Sequence, residues 1–318
     1  MRNPLRAFLD AQGWMVLDGG LATTLEANGA DLDDELWSAR LLLEAPERIR
    51  KAHDDFLAAG ADCIETATYQ ATFEGFRRRG LGDCEGTRLL ELSVSLACDA
   101  RDTFWSATTD RAGRRKPLVA ASIGPYGAFL ADGSEYRGDY GLDVEQLHAF
   151  HQRRWRVLAA GEADLLACET IPSFPEVLAL LRLLDETPDS RAWISFSCGE
   201  KARLADGSDL AEAVRACQRR PNVVGVGINC IGPEKIAALL RILRDHTDKP
   251  LLVYPNSGEA YDATRTAWSG RPSEDWVEMA PEWIRLGAGA VGGCCRTGPD
   301  DIARLRRLLE RYDSWGPL

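Results

Sequence analysis

Eight short β-prone runs, each followed by a longer amphipathic stretch, set the pattern of this chain. The runs cover residues 14–18, 62–68, 118–123, 164–169, 192–198, 223–230, 251–254 and 290–294. Helical periodicity fills the spaces between them. Residues 46–59 carry Ile49, Ala52, Phe56 and Leu57, and residues 144–160 carry Leu147, Phe150, Val157 and Leu158. Segments 175–184, 210–217, 233–243 and 299–309 repeat the theme. Pro175, Pro233 and Pro299 stand at helix starts, where a missing N–H costs nothing. Alternation of this kind predicts parallel strands joined by right-handed crossovers. Eight units predict a closed (β/α)₈ barrel, and 318 residues with 45% hydrophobic content suffice for one such domain over residues 1–318. The alternative is an open doubly wound sheet. Asp18-Gly19-Gly20 is not the G-x-G-x-x-G fingerprint that such a sheet would use for a dinucleotide.

Charge and hydropathy narrow the partners. There are 38 basic and 49 acidic residues, a net charge of −11, so nucleic-acid phosphates and anionic membranes are repelled. Arg114-Arg115-Lys116 is short and reads as a solvated turn. No apolar run reaches the ~20 residues that span a bilayer, and the N-terminal segment lacks the features of a secretory signal. The expectation is a cytoplasmic protein acting on small molecules, with no nucleic-acid or membrane partner. Nothing in the pattern specifies an oligomeric state.

Nine cysteines, an odd number without framework spacing, point away from disulfides. Cys230 closes the sixth run, and Cys294 and Cys295 close the eighth. In a barrel, strand C-termini converge on one active site. Three thiolates at ~2.3 Å from Zn²⁺ leave one tetrahedral position open, as in a catalytic site. A buried structural cysteine is the ordinary alternative for any one of them. Adjacent residues of a regular strand face opposite ways, so Cys294 and Cys295 share a metal only if the backbone is irregular there. Gly292-Gly293 would permit that. Cys63, Cys84, Cys98, Cys198 and Cys217 read as core or helix-packing residues, and Cys168 as facing away from Glu169. His148 and His151 lie three apart on a helix and read as a packed or solvated face. His53 and His246 are helical too, so a histidine metal site or a Ser-His-Asp triad lacks support.

Carboxylates also sit at strand ends. Asp18 closes the first run and Glu169 the fourth, while Glu65 lies within the second. Near a metal they would bind a substrate ammonium or act as acid and base. Segments 124–143 and 255–275 follow strands and are candidate lids. An all-thiolate zinc is electron-rich. It keeps a bound sulfur deprotonated but nucleophilic, and it is a poor activator of water. Alkyl transfer to a thiol is favoured over hydrolysis.

These residues resemble a known family. Asp18-Gly19-Gly20, Glu169-Thr170, Gly227-Ile228-Asn229-Cys230 and Gly292-Gly293-Cys294-Cys295-Arg296-Thr297 are similar to the motifs of homocysteine S-methyltransferases, over residues 14–309. Trp37-Ser38-Ala39, Thr68-Tyr69-Gln70-Ala71-Thr72, Gly124-Pro125-Tyr126-Gly127, Tyr136-Arg137-Gly138 and Val253-Tyr254-Pro255-Asn256-Ser257-Gly258-Glu259 resemble the branch that uses S-methylmethionine or S-adenosylmethionine more than the betaine branch. The resemblance implies a (β/α)₈ barrel and a zinc on Cys230, Cys294 and Cys295. It implies Asp18 and Glu169 at the homocysteine amino group and Gly19 as a backbone contact. Glu65 and Gln70 would be further substrate contacts. The homocysteine sulfur would take a methyl from a sulfonium, giving methionine. Trp37, Tyr126 and Tyr254 are candidates for the aromatic faces that stabilise the cation. Other acceptors, such as selenocysteine, a non-catalytic zinc-binding or redox-sensing barrel, and a hydrolase using Asp18 and Glu169 are the competing readings.

Overall fold

The structure is a computed structural model that describes residues 3–32, 37–109, 111, 114–199, 202–262, 267–269 and 275–313. Eight parallel strands form one sheet: β1 (Met15–Val16), β2 (Cys63–Glu65), β3 (Leu118–Ile123), β4 (Leu165–Ile171), β5 (Ala192–Phe196), β6 (Val223–Asn229), β7 (Leu251–Tyr254) and β8 (Ala288–Val291). Each pairs with its neighbour in sequence from β2 to β8, and β8 pairs with β1. A parallel bridge between Leu17 and Cys63 joins β1 to β2 and closes the barrel. No helix of the described residues is long and apolar enough to cross a membrane.

Strand side chains alternate between two cores, as a period of two requires. Met15, Leu17, Cys63, Ala120, Ala167, Trp193, Leu252 and Tyr254 fill the barrel. Val16, Ile64, Val119, Ala121, Leu166, Cys168 and Ile194 face the helices outside. Cys168 therefore does face away from Glu169. Cys98, Cys198 and Cys217 join the outer core. Cys84 does not follow the expectation: it is exposed, because Asp83–Ala107 turns Gly86, Leu89, Leu90 and Val94 inward and leaves position 84 on the opposite face.

The expected helices form, with ends shifted by up to four residues. Pro233 opens a short 3₁₀ turn, Pro233–Lys235, ahead of the helix Ile236–His246. Of the helices outside the expected set, the two longest bear on the barrel. One is Asp83–Ala107, whose inward face mixes Gly86, Ser93 and Arg101 with its leucines, so its apolar stripe is interrupted. The other is Pro4–Gln12, which plugs the N-terminal mouth. Asn3 caps it, accepting from Leu5 N at 3.0 Å and donating to Val224 O at 2.8 Å. Leu5 and Phe8 enter the barrel core. A Cβ on Gly225 would lie 2.9 Å from Leu5 Cδ1, so glycine is what lets the helix seat. With that end filled, only the C-terminal mouth remains for chemistry.

Candidate metal and substrate site

Three cysteine sulfurs meet at the C-terminal mouth, all within 4.8 Å of one another. Cys230 Sγ and Cys295 Sγ are 3.4 Å apart. Tetrahedral bonds of ~2.3 Å to one zinc would set sulfurs about 3.8 Å apart, so the cluster fits a metal with small adjustments. Among the described residues, no other group of histidine, cysteine or acid side chains gathers this way.

The backbone does what the strand rule demanded. β8 ends at Val291, and Cys294 and Cys295 lie in the turn beyond it. Cys294 N donates to Pro255 O at 2.8 Å, and Cys295 O accepts from Ser257 N at 3.2 Å. The two glycines before them are sterically required. A Cβ on Gly292 would sit 2.7 Å from Asp18 O, and one on Gly293 would sit 2.2 Å from Thr297 Oγ1. Cys230 has the same problem, since Asn229 already points inward from β6. It is solved by a left-handed backbone, φ 53° at Cys230. Thr170 (φ 58°) and Arg296 (φ 65°) are also left-handed non-glycine residues at this mouth, and such conformations concentrate at functional sites. Without metal, hydrogen bonds from Cys294 and Cys295 hold the Cys230 thiol well below its ordinary range. The same bonds to Cys230 raise both partners.

The acids assemble beside the sulfurs. Asp18 is buried, and its Oδ2 accepts from Glu65 N at 2.8 Å. Glu169 is buried, accepts from Ser122 Oγ, and shares a hydrogen bond with Glu65. Burial pushes all three carboxyls upward. Repulsion from Glu169 adds to this for Asp18 and Glu65. Glu65 Oε1 is buried without a hydrogen-bond partner. An arriving cation would relieve that strain. Gly19 packs between Phe56 and Thr297 beside this cluster.

Asn229 ties the halves together, although the sequence offered only its place in a motif. Its Oδ1 accepts from Thr170 N and Ser195 Oγ, both at 2.8 Å, and its Nδ2 donates to Thr170 Oγ1 at 2.7 Å and faces Cys294 Sγ at 4.0 Å. Alternation along β4 turns Glu169 inward, opposite Cys168, and the register slips beyond it at the left-handed Thr170, before Ile171.

Segment 124–143 folds over the mouth as Tyr126–Leu130 and Ser134–Tyr136. It brings Tyr136 OH to 3.5 Å from Cys230 Sγ. A buried relay holds its root: Arg154 donates to Gly124 O (2.7 Å), Tyr69 O (3.1 Å) and His151 Nδ1 (2.9 Å). With Nδ1 accepting, His151 Nε2 donates to Glu176 Oε1 at 2.7 Å, which also accepts from Tyr126 N at 2.6 Å. His151 is thus a packing residue, as is His148 against Glu186. Gln70 donates to Ala128 O at 2.7 Å, so it braces this segment. In segment 255–275, residues 263–266 and 270–274 lie outside the described residues, and Glu259 pairs with Arg296 at 2.9 Å.

Two of the three expected aromatic faces are engaged elsewhere. Tyr126 packs against Phe129, Tyr140 and Phe150. Tyr254 lies inside the barrel, bonded to Ser195 and Trp193. The Trp37 side chain lies outside the described residues. Tyr136 is a described ring that reaches the sulfurs, and its neighbour in sequence, Glu135, has a buried Oε2 without a partner.

The profile of the family described as homocysteine S-methyltransferase matches residues 15–309. A homocysteine S-methyltransferase from Bacillus subtilis (strain 168) is 48% identical over 304 residues, covering 95% of this chain and 96% of that protein. A selenocysteine Se-methyltransferase from Brassica oleracea var. italica is 44% identical over 311 residues, covering 94% and 90%. The metallated form of the homocysteine methyltransferase MmuM from Escherichia coli superposes with a TM-score of 0.87 at 46% identity, covering 96% of this chain and 100% of that one. The matched stretch begins at β1 and runs past β8, so the likeness spans the whole barrel, and this chain belongs to the homocysteine S-methyltransferase family.

Proposed function

We propose that this protein moves a methyl group from a sulfonium donor, S-methylmethionine or S-adenosylmethionine, to the thiol of L-homocysteine, with Zn²⁺ on Cys230, Cys294 and Cys295. The observation that carries the reading is the convergence of three sulfurs beside two buried acids, Asp18 and Glu169, and the half-buried Glu65 at one mouth of the barrel. A metal on three thiolates supplies a fourth position where a thiol loses its proton at neutral pH. Asp18 and Glu169 bind the amino group of homocysteine, and Glu65 supports them. The ammonium then sits among carboxyls whose ionisation it restores. Gly19 presents backbone there, and Gln70 acts through the segment it braces. The acceptor sulfur is thereby fixed in place, and orientation of this kind contributes several kcal/mol to a displacement, up to about 10. Asn229 ties the turn at Thr170 to the strand that leads into Cys230. A sulfonium donor needs no further activation, because its leaving group is a neutral thioether. A reducing compartment, the cytoplasm, suits ligands that must remain thiolates.

A selenol acceptor is the second reading, favoured by the selenocysteine Se-methyltransferase relative. The test is turnover by protein loaded with one zinc, using homocysteine or selenocysteine as acceptor and each sulfonium as donor. Methionine from homocysteine is the expected product. Absence of methionine with every donor would overturn the proposal, and a strong preference for selenocysteine would favour the second reading.

A further inference from the structure

The segment over the mouth presents two consecutive residues to different fates. Tyr136 finds a partner in Cys230, at 3.5 Å. Glu135 finds none for Oε2, which is buried and without a hydrogen-bond partner. Its backbone is firmly placed. Gly127 lies so close beneath that a Cβ there would come within 2.4 Å of Glu135 N, and a Cβ on Gly138 would come within 2.8 Å of Pro172 O. Tyr136 N and Arg137 N close the turn on Gly133 O and Ser134 O at 3.1 and 3.0 Å. Arg137, the nearest base in sequence, is directed to Asp132, Asp139 and Ser134.

The surroundings are wrong for a lone carboxylate. Burial first, then repulsion from the Cys230 sulfur and Asp132, raises its pKa to about 7 against its own backbone hydrogen bond and the pull of Arg137. A zinc on three thiolates carries one net negative charge and offers no relief. Glu135 is not a fourth ligand by position, because no carboxylate oxygen joins the three sulfurs in their mutual cluster. Nor does it belong with Asp18, Glu65 and Glu169, which hang from β1, β2 and β4 and are bonded to one another. It hangs from the covering segment, next in sequence to the tyrosine whose hydroxyl reaches Cys230. A buried charge placed against like charges is tolerated where a counter-charge arrives in use.

We propose that Glu135 is the counter-ion for the positively charged sulfur of the methyl donor and so selects a sulfonium over its neutral thioether product. This rests on the function proposed above. The donor approaches the acceptor sulfur from the side of the covering segment. Its cation then lies between the Glu135 carboxylate and the acceptor. Once the methyl has moved, the donor sulfur is neutral, the attraction is lost, and the product leaves.

Glu135→Gln, matched in shape but uncharged, tests this. The dissociation constant of S-methylmethionine, measured by calorimetry on zinc-loaded protein, is expected to rise by about tenfold or more, the scale of one charge-assisted contact. The donor KM should rise in parallel. Zinc content and the KM for homocysteine should stay within about twofold of wild type, since no contact of theirs is removed. Inhibition by methionine competitive with the donor should also stay within that range, because methionine keeps the ammonium and lacks the sulfonium. Glu135→Asp, which keeps the charge, should lie between wild type and Glu135→Gln, and it serves alone if the glutamine variant fails to fold. Unchanged donor binding would overturn the proposal. So would equal weakening of donor and methionine, which would place the ammonium at Glu135. Wild-type protein that forms no methionine would instead remove the function on which the inference rests.

Discussion

Cys295→Ser is expected to lose its metal and at least about a thousandfold of methyl-transfer activity while keeping a folded barrel. The ligand swap replaces a soft thiolate with a weakly acidic hydroxyl, and zinc prefers thiolate by a wide margin. Even partners behind metal ligands are worth about 10–100-fold in affinity, so a ligand itself is worth more. Stability should change little, within about 1 kcal/mol, because the residue lies in a turn past the end of β8 and is partly exposed. Circular dichroism should report a native spectrum and a cooperative melt. Cys63 supplies the contrast. It is fully buried in the barrel core, so Cys63→Ser should lower stability by roughly 1–3 kcal/mol through an unsatisfied hydroxyl and leave zinc binding intact. If Cys295→Ser unfolded globally, the cluster would be structural.

Glu169→Gln is expected to raise the KM for homocysteine by about ten- to a hundredfold and to leave the donor KM nearly unchanged, the scale of one buried charge-assisted contact. Glutamine keeps the shape and keeps an oxygen for Ser122 Oγ, but removes the charge that faces the ammonium. The fold should tolerate it. Burial raises the carboxyl pKa of Glu169, and an acid whose folded pKa is raised binds more protons folded than unfolded. Its ionisation therefore costs stability as pH climbs above the ordinary carboxylate value. A neutral side chain escapes that cost, so the variant should melt no lower than wild type near neutral pH. Steady-state kinetics with each substrate varied in turn checks the prediction. Equal loss for both substrates would argue against an ammonium site.

The three-cysteine cluster was legible because Cys230, Cys294 and Cys295 close two strands of one mouth, and because Gly292-Gly293 advertised the bend that lets Cys294 and Cys295 share a side. The barrel was legible for the same reason that its two cores exist: period two in the strands and near four in the helices. Asp83–Ala107 escaped because Gly86, Ser93 and Arg101 occupy its buried face. The braces around the site escaped for a different reason. Asn229 reaches Thr170 across 59 positions, Tyr136 reaches Cys230 across 94, and Glu169 reaches Ser122 across 47. No local pattern marks such pairs. The aromatic assignments moved for that reason too. Tyr126 and Tyr254 occur in suitable motifs, but neighbours contributed by distant segments claim their rings.

The central claim is that the three cysteines hold a zinc whose fourth position receives the acceptor thiol. X-ray absorption at the zinc edge reads this directly. The protein alone should show three sulfurs near ~2.3 Å and one lighter atom, and addition of L-homocysteine should convert the shell to four sulfurs at that distance. A shell that stays at three sulfurs with homocysteine bound, or one that contains histidine nitrogen, would contradict the account.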